Sequence, residues 1–180
     1  MQEKELLEKV LEWQAKAKYE TDAFNKYVSI FIAFNIFYNL YVKKQSENSQ
    51  ADFSQGDSHR ATATISLIDT DQLFNSIEPD LRAYVSIIPV FREEYWPWQD
   101  SPRSVPIAQT LKAGFHAGDS RKTIDMLIKW LYKVRCNLVH GEKSYKDNHQ
   151  KRLLEKSSVL LDEMLKHMIS RYKQIYGQIN

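Results

Sequence analysis

Residues 124–141 read Ile124-Asp125-Met126-Leu127-Ile128-Lys129-Trp130-Leu131-Tyr132-Lys133-Val134-Arg135-Cys136-Asn137-Leu138-Val139-His140-Gly141. Ile124, Leu127, Ile128, Leu131, Val134 and Leu138 recur at steps of three and four, the mark of one buried helix face. Asp119 or Ser120 offers an N-cap, and Gly141 offers a left-handed stop. The stretch therefore predicts a long amphipathic helix. Arg135 falls within its apolar stripe, where a guanidinium must be paired, line a groove or snorkel to water. His140 stands at the helix end, and histidine has the ordinary pKa best suited to proton transfer near neutrality.

The flanking sequence carries the same period. Residues 2–18 predict a first helix with Leu6, Leu7, Val10, Leu11 and Gln14 on one face. Thr21 or Asp22 caps a second helix through about Lys43. Its apolar residues, among them Tyr27, Phe31, Phe34, Phe37 and Tyr38, wrap most of its circumference and predict a central position. Asn35 interrupts them, as a core amide bonded to backbone or as a polar group facing a groove. Residues 44–60 are polar and patternless and predict an exposed loop, with His59 on the surface. Ala61–Ile65 alternates briefly like a strand, but it has no partner strand, so helix is preferred. Pro79-Asp80 predicts a helix start, and Pro89 its end. Trp96 and Trp98 lie in an aromatic connection that caps the core or stacks on a base. A short helix is expected near Ile107–Phe115, with His116 in the loop after it. A final helix runs from about Asn148 to Tyr176. The expected fold is all-α, an up-and-down-like bundle of five to seven helices in one domain over residues 1–180.

Composition narrows the function. Only five glycines, five prolines and one cysteine occur in 180 residues, which favours helix and a reducing, cytoplasmic setting over a disulfide framework. The N-terminus reads as helix rather than secretory signal. The most apolar run, Tyr27–Val42, is too short and too polar to span a membrane. No phosphate-binding glycine loop or zinc spacing appears, so no cofactor and no metal is expected. The net charge of +2 hides an asymmetry: residues 1–100 carry 10 Lys and Arg against 16 Asp and Glu, and residues 101–180 carry 15 against 7. A basic half that contains Arg135 and His140 suggests an anionic partner such as RNA.

The motif Tyr132-Lys133-Val134-Arg135-Cys136-Asn137-Leu138-Val139-His140-Gly141-Glu142-Lys143 resembles the signature of the HEPN superfamily (higher eukaryotes and prokaryotes nucleotide-binding), an Arg followed after four to six residues by a His. Phe31-Ile32-Ala33-Phe34-Asn35-Ile36-Phe37-Tyr38 resembles the second helix of one branch, and the final helix resembles it too. The resemblance implies an all-α homodimer that joins two Arg/His pairs in one cleft. It implies a metal-independent endoribonuclease that leaves a 2′,3′-cyclic phosphate, acting in toxin–antitoxin or antiviral defence, with an antitoxin or regulatory protein as a further partner. Arg135 would hold the phosphate, His140 would act as general acid and base, and Asn137 would orient one of them. Lys143, Lys146 and Asn35 would contact substrate. Cys136 stands where the family usually has a polar residue, and Glu142 where the branch often has glycine. These departures motivate the alternative of a catalytically inactive helical module that binds RNA, a nucleotide or a protein partner.

Spacing adds a geometric condition. On an ideal helix, five residues separate Arg135 and His140 by about 140°, so they converge only if the helix unwinds or a second chain contributes. Asn137 and His140, three apart, share a face.

Overall fold

One long aromatic helix organises the chain. The computed structural model describes residues 3–48, 56–88, 104–139 and 147–177. Among the described residues seven α-helices follow one another: α1 (Glu3–Tyr19), α2 (Ala23–Asn48), α3 (Asp57–Ala63), α4 (Thr70–Ile87), α5 (Ser104–His116), α6 (Ser120–Val139) and α7 (Asn148–Tyr176). A 3-10 turn at Thr64–Leu67 joins α3 to α4. No strand occurs among the described residues, and the alternating Ala61–Ile65 passes from α3 into that turn. The fold is an all-α bundle. No described helix is long and apolar enough to cross a membrane.

Four helices start on an aspartate. Asp22, Asp69, Asp119 and Asp147 each accept a backbone N–H from the first turn that follows, at 2.8–3.3 Å. Those N–H groups have no partner within the helix, so a side-chain acceptor fixes where each helix begins. The turn from α5 to α6 also needs a glycine. Gly118 has φ 68°, and its neighbours close the helix end with Ala117 N–H to Ala113 O and Asp119 N–H to Gly114 O, both 3.0 Å. One turn earlier, a Cβ on Gly114 would stand 3.0 Å from Thr123 Oγ1, so glycine lets α5 approach α6 closely.

The core forms because α2 packs against α1, α3 and α7, while α6 packs against α3, α4 and α5, and α7 also packs on α4. Tyr27, Phe34, Phe37 and Tyr38 of α2 are fully buried. The leucine and methionine face of α7 is buried from Leu153 through Tyr172, with Tyr176 at its margin. Large buried aromatics bring polar atoms with them, and these must find partners. The Trp130 Nε1–H donates to the Tyr84 hydroxyl at 3.0 Å, and that hydroxyl pairs with Ser157 Oγ at 2.7 Å. One hydrogen-bonded line thus ties α6, α4 and α7. The Tyr27 hydroxyl donates to Leu131 O at 2.6 Å, tying α2 to α6.

Several boundaries differ from the sequence expectation. The loop expected at 44–60 is shorter, because α2 continues to Asn48 and α3 begins at Asp57. Partners far along the chain support the extension: Lys44 binds Glu3 at 2.8 Å and Gln45 binds the Tyr176 hydroxyl. Pro79 lies inside α4 instead of starting a helix. It is exposed, and the buried Leu73, Ile77, Leu81 and Tyr84 hold the helix on both sides of it. Leu11 is 42 % exposed while Leu7, Val10, Gln14 and Ala17 form the buried face of α1. His116 ends α5 and is not a loop residue.

Two predictions follow from these contacts. Tyr84→Phe leaves Trp130 Nε1 and Ser157 Oγ without their buried partner, so it should cost about 1–3 kcal/mol in urea unfolding; an effect within error would show that the line is not maintained in solution. Glu3 accepts from Lys44 Nζ and the Tyr172 hydroxyl. Burial opposes its charge, but those two bonds and the lysine's charge hold its carboxyl below the ordinary carboxylate value. The stability this adds is present above the unfolded-state pKa and is lost as pH falls through the lower folded value. Wild type and Glu3→Gln should therefore differ in melting temperature at neutral pH and converge below about pH 4.5.

Candidate functional site at the junction of α2, α3 and α6

The register of α6 sets the direction of Arg135. Trp130, 1 % exposed, points into the core, and Arg135 stands about 140° round the helix from it. Arg135 is accordingly half-buried. Its guanidinium carbon lies 5.8 Å from the centre of the Phe31 ring, whose own centre is 6.0 Å from that of Tyr132. A cation over an aromatic face keeps its charge and is restricted in orientation. Among the described residues no carboxylate forms an ion pair with Arg135.

Asn35 lies one turn along α2 from Phe31. The Asn39 side-chain amide donates to Asn35 Oδ1 at 2.7 Å and to Asn35 O at 2.9 Å, and Arg60 Nη1 donates to Asn39 Oδ1 at 3.1 Å. Arg60 in turn faces Asp57 at 3.9 Å. A polar relay thus crosses from α2 to α3 along the same side of the bundle as Arg135. Asn35 is half-buried at its end.

Tyr38 sits behind this relay and breaks the pattern of the other core tyrosines. It is 0 % exposed, and its hydroxyl has no hydrogen-bond partner among the described residues. Burial pushes the hydroxyl's pKa far up, Asp57 and Tyr132 add to the rise, and Arg135 and Arg60 act against it. The hydroxyl therefore lies within electrostatic reach of both arginines.

Asn137 takes a different position. Two residues from Arg135, it points about 200° round the helix, and it is 5 % exposed. Its Oδ1 also lacks a hydrogen-bond partner among the described residues. Arg135 faces Phe31 of α2, one turn from Asn35, while Asn137 is buried on another side of α6. His140, Lys143 and Lys146 lie outside the described residues, as do Gly141, Glu142, Trp96 and Trp98.

Comparison with family models, curated proteins and solved structures finds no match to this chain. The site's chemistry rests on its own side chains.

Those side chains include some that the sequence pattern does not single out. An open cleft of about 630 Å³ lies between α3 and α6, lined by Asp57, Ser58, His59 and Thr62 on one side and Lys129 and Tyr132 on the other. His59 is exposed as expected, but it is on a helix and lines this cleft. Lys129 is paired with Asp125 at 2.7 Å. Burial raises the pKa of the Tyr132 hydroxyl, the neighbouring Cys136 and Asp57 add to the rise, and Arg135 acts against it. The one sequence signal for this wall was the three-residue spacing of Asp57 and Arg60, which suits a helical ion pair within an otherwise polar run.

The unpartnered Tyr38 hydroxyl generates a test. A hydroxyl buried without a partner costs stability, so Tyr38→Phe should raise the unfolding free energy, by up to about 1–3 kcal/mol. A loss comparable to that of Tyr84→Phe would reveal a partner for the hydroxyl in solution.

Proposed function

We propose that the chain is a metal-independent endoribonuclease of HEPN type, working as a homodimer. The observation that carries this reading is Arg135. Its charge is held on the Phe31 ring near the C-terminal end of α6 and is neutralised by no carboxylate among the described residues. A guanidinium kept in place and unneutralised is what stabilising a scissile phosphate requires. The Arg135–His140 spacing and the resemblance of residues 31–38 supply the rest.

In this reading the 2′-hydroxyl of RNA loses a proton and attacks the adjacent phosphate, while the 5′-oxygen gains a proton as it leaves. His140 carries out one or both transfers, and a 2′,3′-cyclic phosphate remains. Asn137 positions His140. Its Oδ1 is an acceptor with no partner among the described residues, and His140 follows three residues on in the sequence, a spacing that would suit such a contact if the helical path continued. Two copies supply the convergence that one helix denies to Arg135 and His140. Lys143 and Lys146 add positive charge for the strand, and Asn35 contacts it at the end of the relay. A toxin–antitoxin or antiviral role, with a restraining protein partner in the cytoplasm, suits such an activity.

A second reading is a catalytically inactive module that binds RNA, a nucleotide or a protein. It is favoured by the burial of Asn137 away from Arg135, which leaves the guanidinium without an orienting amide on that side.

RNA cleavage in excess EDTA separates the two. Wild type should yield cyclic phosphate ends, with His140→Ala and Arg135→Ala each lowering the rate by about 100-fold or more. Arg135→Lys should recover only part, because a lysine cannot reproduce the planar fork. Binding without cleavage by the folded wild type would favour the inactive module.

A further inference from the structure

The α3/α6 cleft brings together groups of a particular kind. Its α6 side carries the Tyr132 ring, which also packs on Phe31. Its α3 wall carries the Asp57 carboxylate, 48 % exposed, whose one ion pair among the described residues is the long contact with Arg60 at 3.9 Å. A carboxylate in that setting keeps acceptor sites directed outward. The Thr62 hydroxyl donates to Ser58 O at 2.8 Å, so it too has only acceptor capacity left for a ligand. Arg135 lies one turn beyond Tyr132 on α6, with its guanidinium on the same Phe31 ring. An aromatic ring on one side, an outward carboxylate on the other, the Lys129 ammonium tied to Asp125 and the Arg135 cation alongside describe a place for a nucleobase whose recognition edge donates.

We propose that this cleft is a base site selective for guanine in an RNA strand, with Tyr132 stacking the base and Asp57 reading its edge. The assignment rests on the RNA reading of the Arg135 site. Of the four RNA bases, only guanine presents two adjacent N–H donors on its Watson–Crick edge, N1–H and the N2 amino group. A carboxylate accepts both together. Adenine and cytosine each turn a ring-nitrogen acceptor toward the same carboxylate, and uracil offers one donor flanked by two carbonyls. A site that uses a base's donors discriminates strongly against bases that lack them, because the acceptor is then left unpaired. Aromatic stacking adds affinity but little selectivity.

The test uses nucleosides, which carry no phosphate, so that base recognition is separated from Arg135 and from cleavage. The full chain is titrated by NMR with guanosine, adenosine, cytidine and uridine. Guanosine should bind at least about 10-fold tighter than adenosine, and Asp57→Asn should remove that preference by weakening guanosine. Asp57 is exposed, so the variant should fold; Tyr132→Phe, which keeps the ring, should retain the preference. Equal affinity for all four, no binding of any, or a preference unaltered in Asp57→Asn overturns the proposal. A second arm uses the heptamer UUUGUUU. If the site serves RNA, the heptamer binds tighter than guanosine and Arg135→Ala weakens the heptamer alone. If it binds no tighter than guanosine, the occupant is a free nucleoside or nucleotide and the RNA assignment falls. Guanine preference without RNA cleavage counts against the nuclease and leaves the base site standing, while cleavage without guanine preference does the reverse.

Discussion

The structure depends on the line from Trp130 through Tyr84 to Ser157. An indole N–H and two hydroxyls at the centre of a helical bundle are tolerated only if they satisfy one another. Doing so fixes the axial position and rotation of α6 against α4 and α7 together. Once Trp130 is locked inward, every other direction on α6 follows from the pitch of the helix. Leu127, Leu131 and Val134 join the core, Asn137 is buried, and Arg135 is turned toward α2 and α3. The exposed chemistry of this protein is thus set by a hydrogen-bond requirement in its interior.

The elements with strong period were legible in the sequence. The α7 helix shows its leucine and methionine face so regularly that both its ends and its buried side could be read directly, and Asp22 and Asp119 announce their helices by their acceptor side chains. The rest depended on contacts that no local pattern carries. The last residues of α2 are polar and look like loop, yet Lys44 and Gln45 are held by Glu3 and Tyr176, which are distant in the chain. Pro79 looks like a helix start, yet buried residues on both sides keep α4 continuous through an exposed position. Leu11 fits the period of α1 but falls just outside the sector that α2 covers.

The candidate site divides in the same way. Arg135 was legible because a guanidinium within an apolar stripe demands an explanation, and Asn35 because an amide breaks an aromatic run. The α3 wall was not legible. Asp57, His59 and Arg60 belong to a polar stretch with no apolar face to reveal a helix, and only its packing against α2 and α6 gives them a place. The opposite directions of Arg135 and Asn137 were implicit in their spacing, but the burial of Asn137 was not.

The contact between Glu3 and Tyr172 spans 169 positions of the chain. The α1–α2 hairpin consists of sequence neighbours and can pair while the remainder is still being made, since local contacts cost little loop closure. The groove that α7 fills against α2 stays open until nearly the whole described chain exists. During synthesis the aromatic side of α2 is therefore exposed for as long as α7 has not emerged, and that is the interval in which this protein is most open to aggregation or to capture by a chaperone.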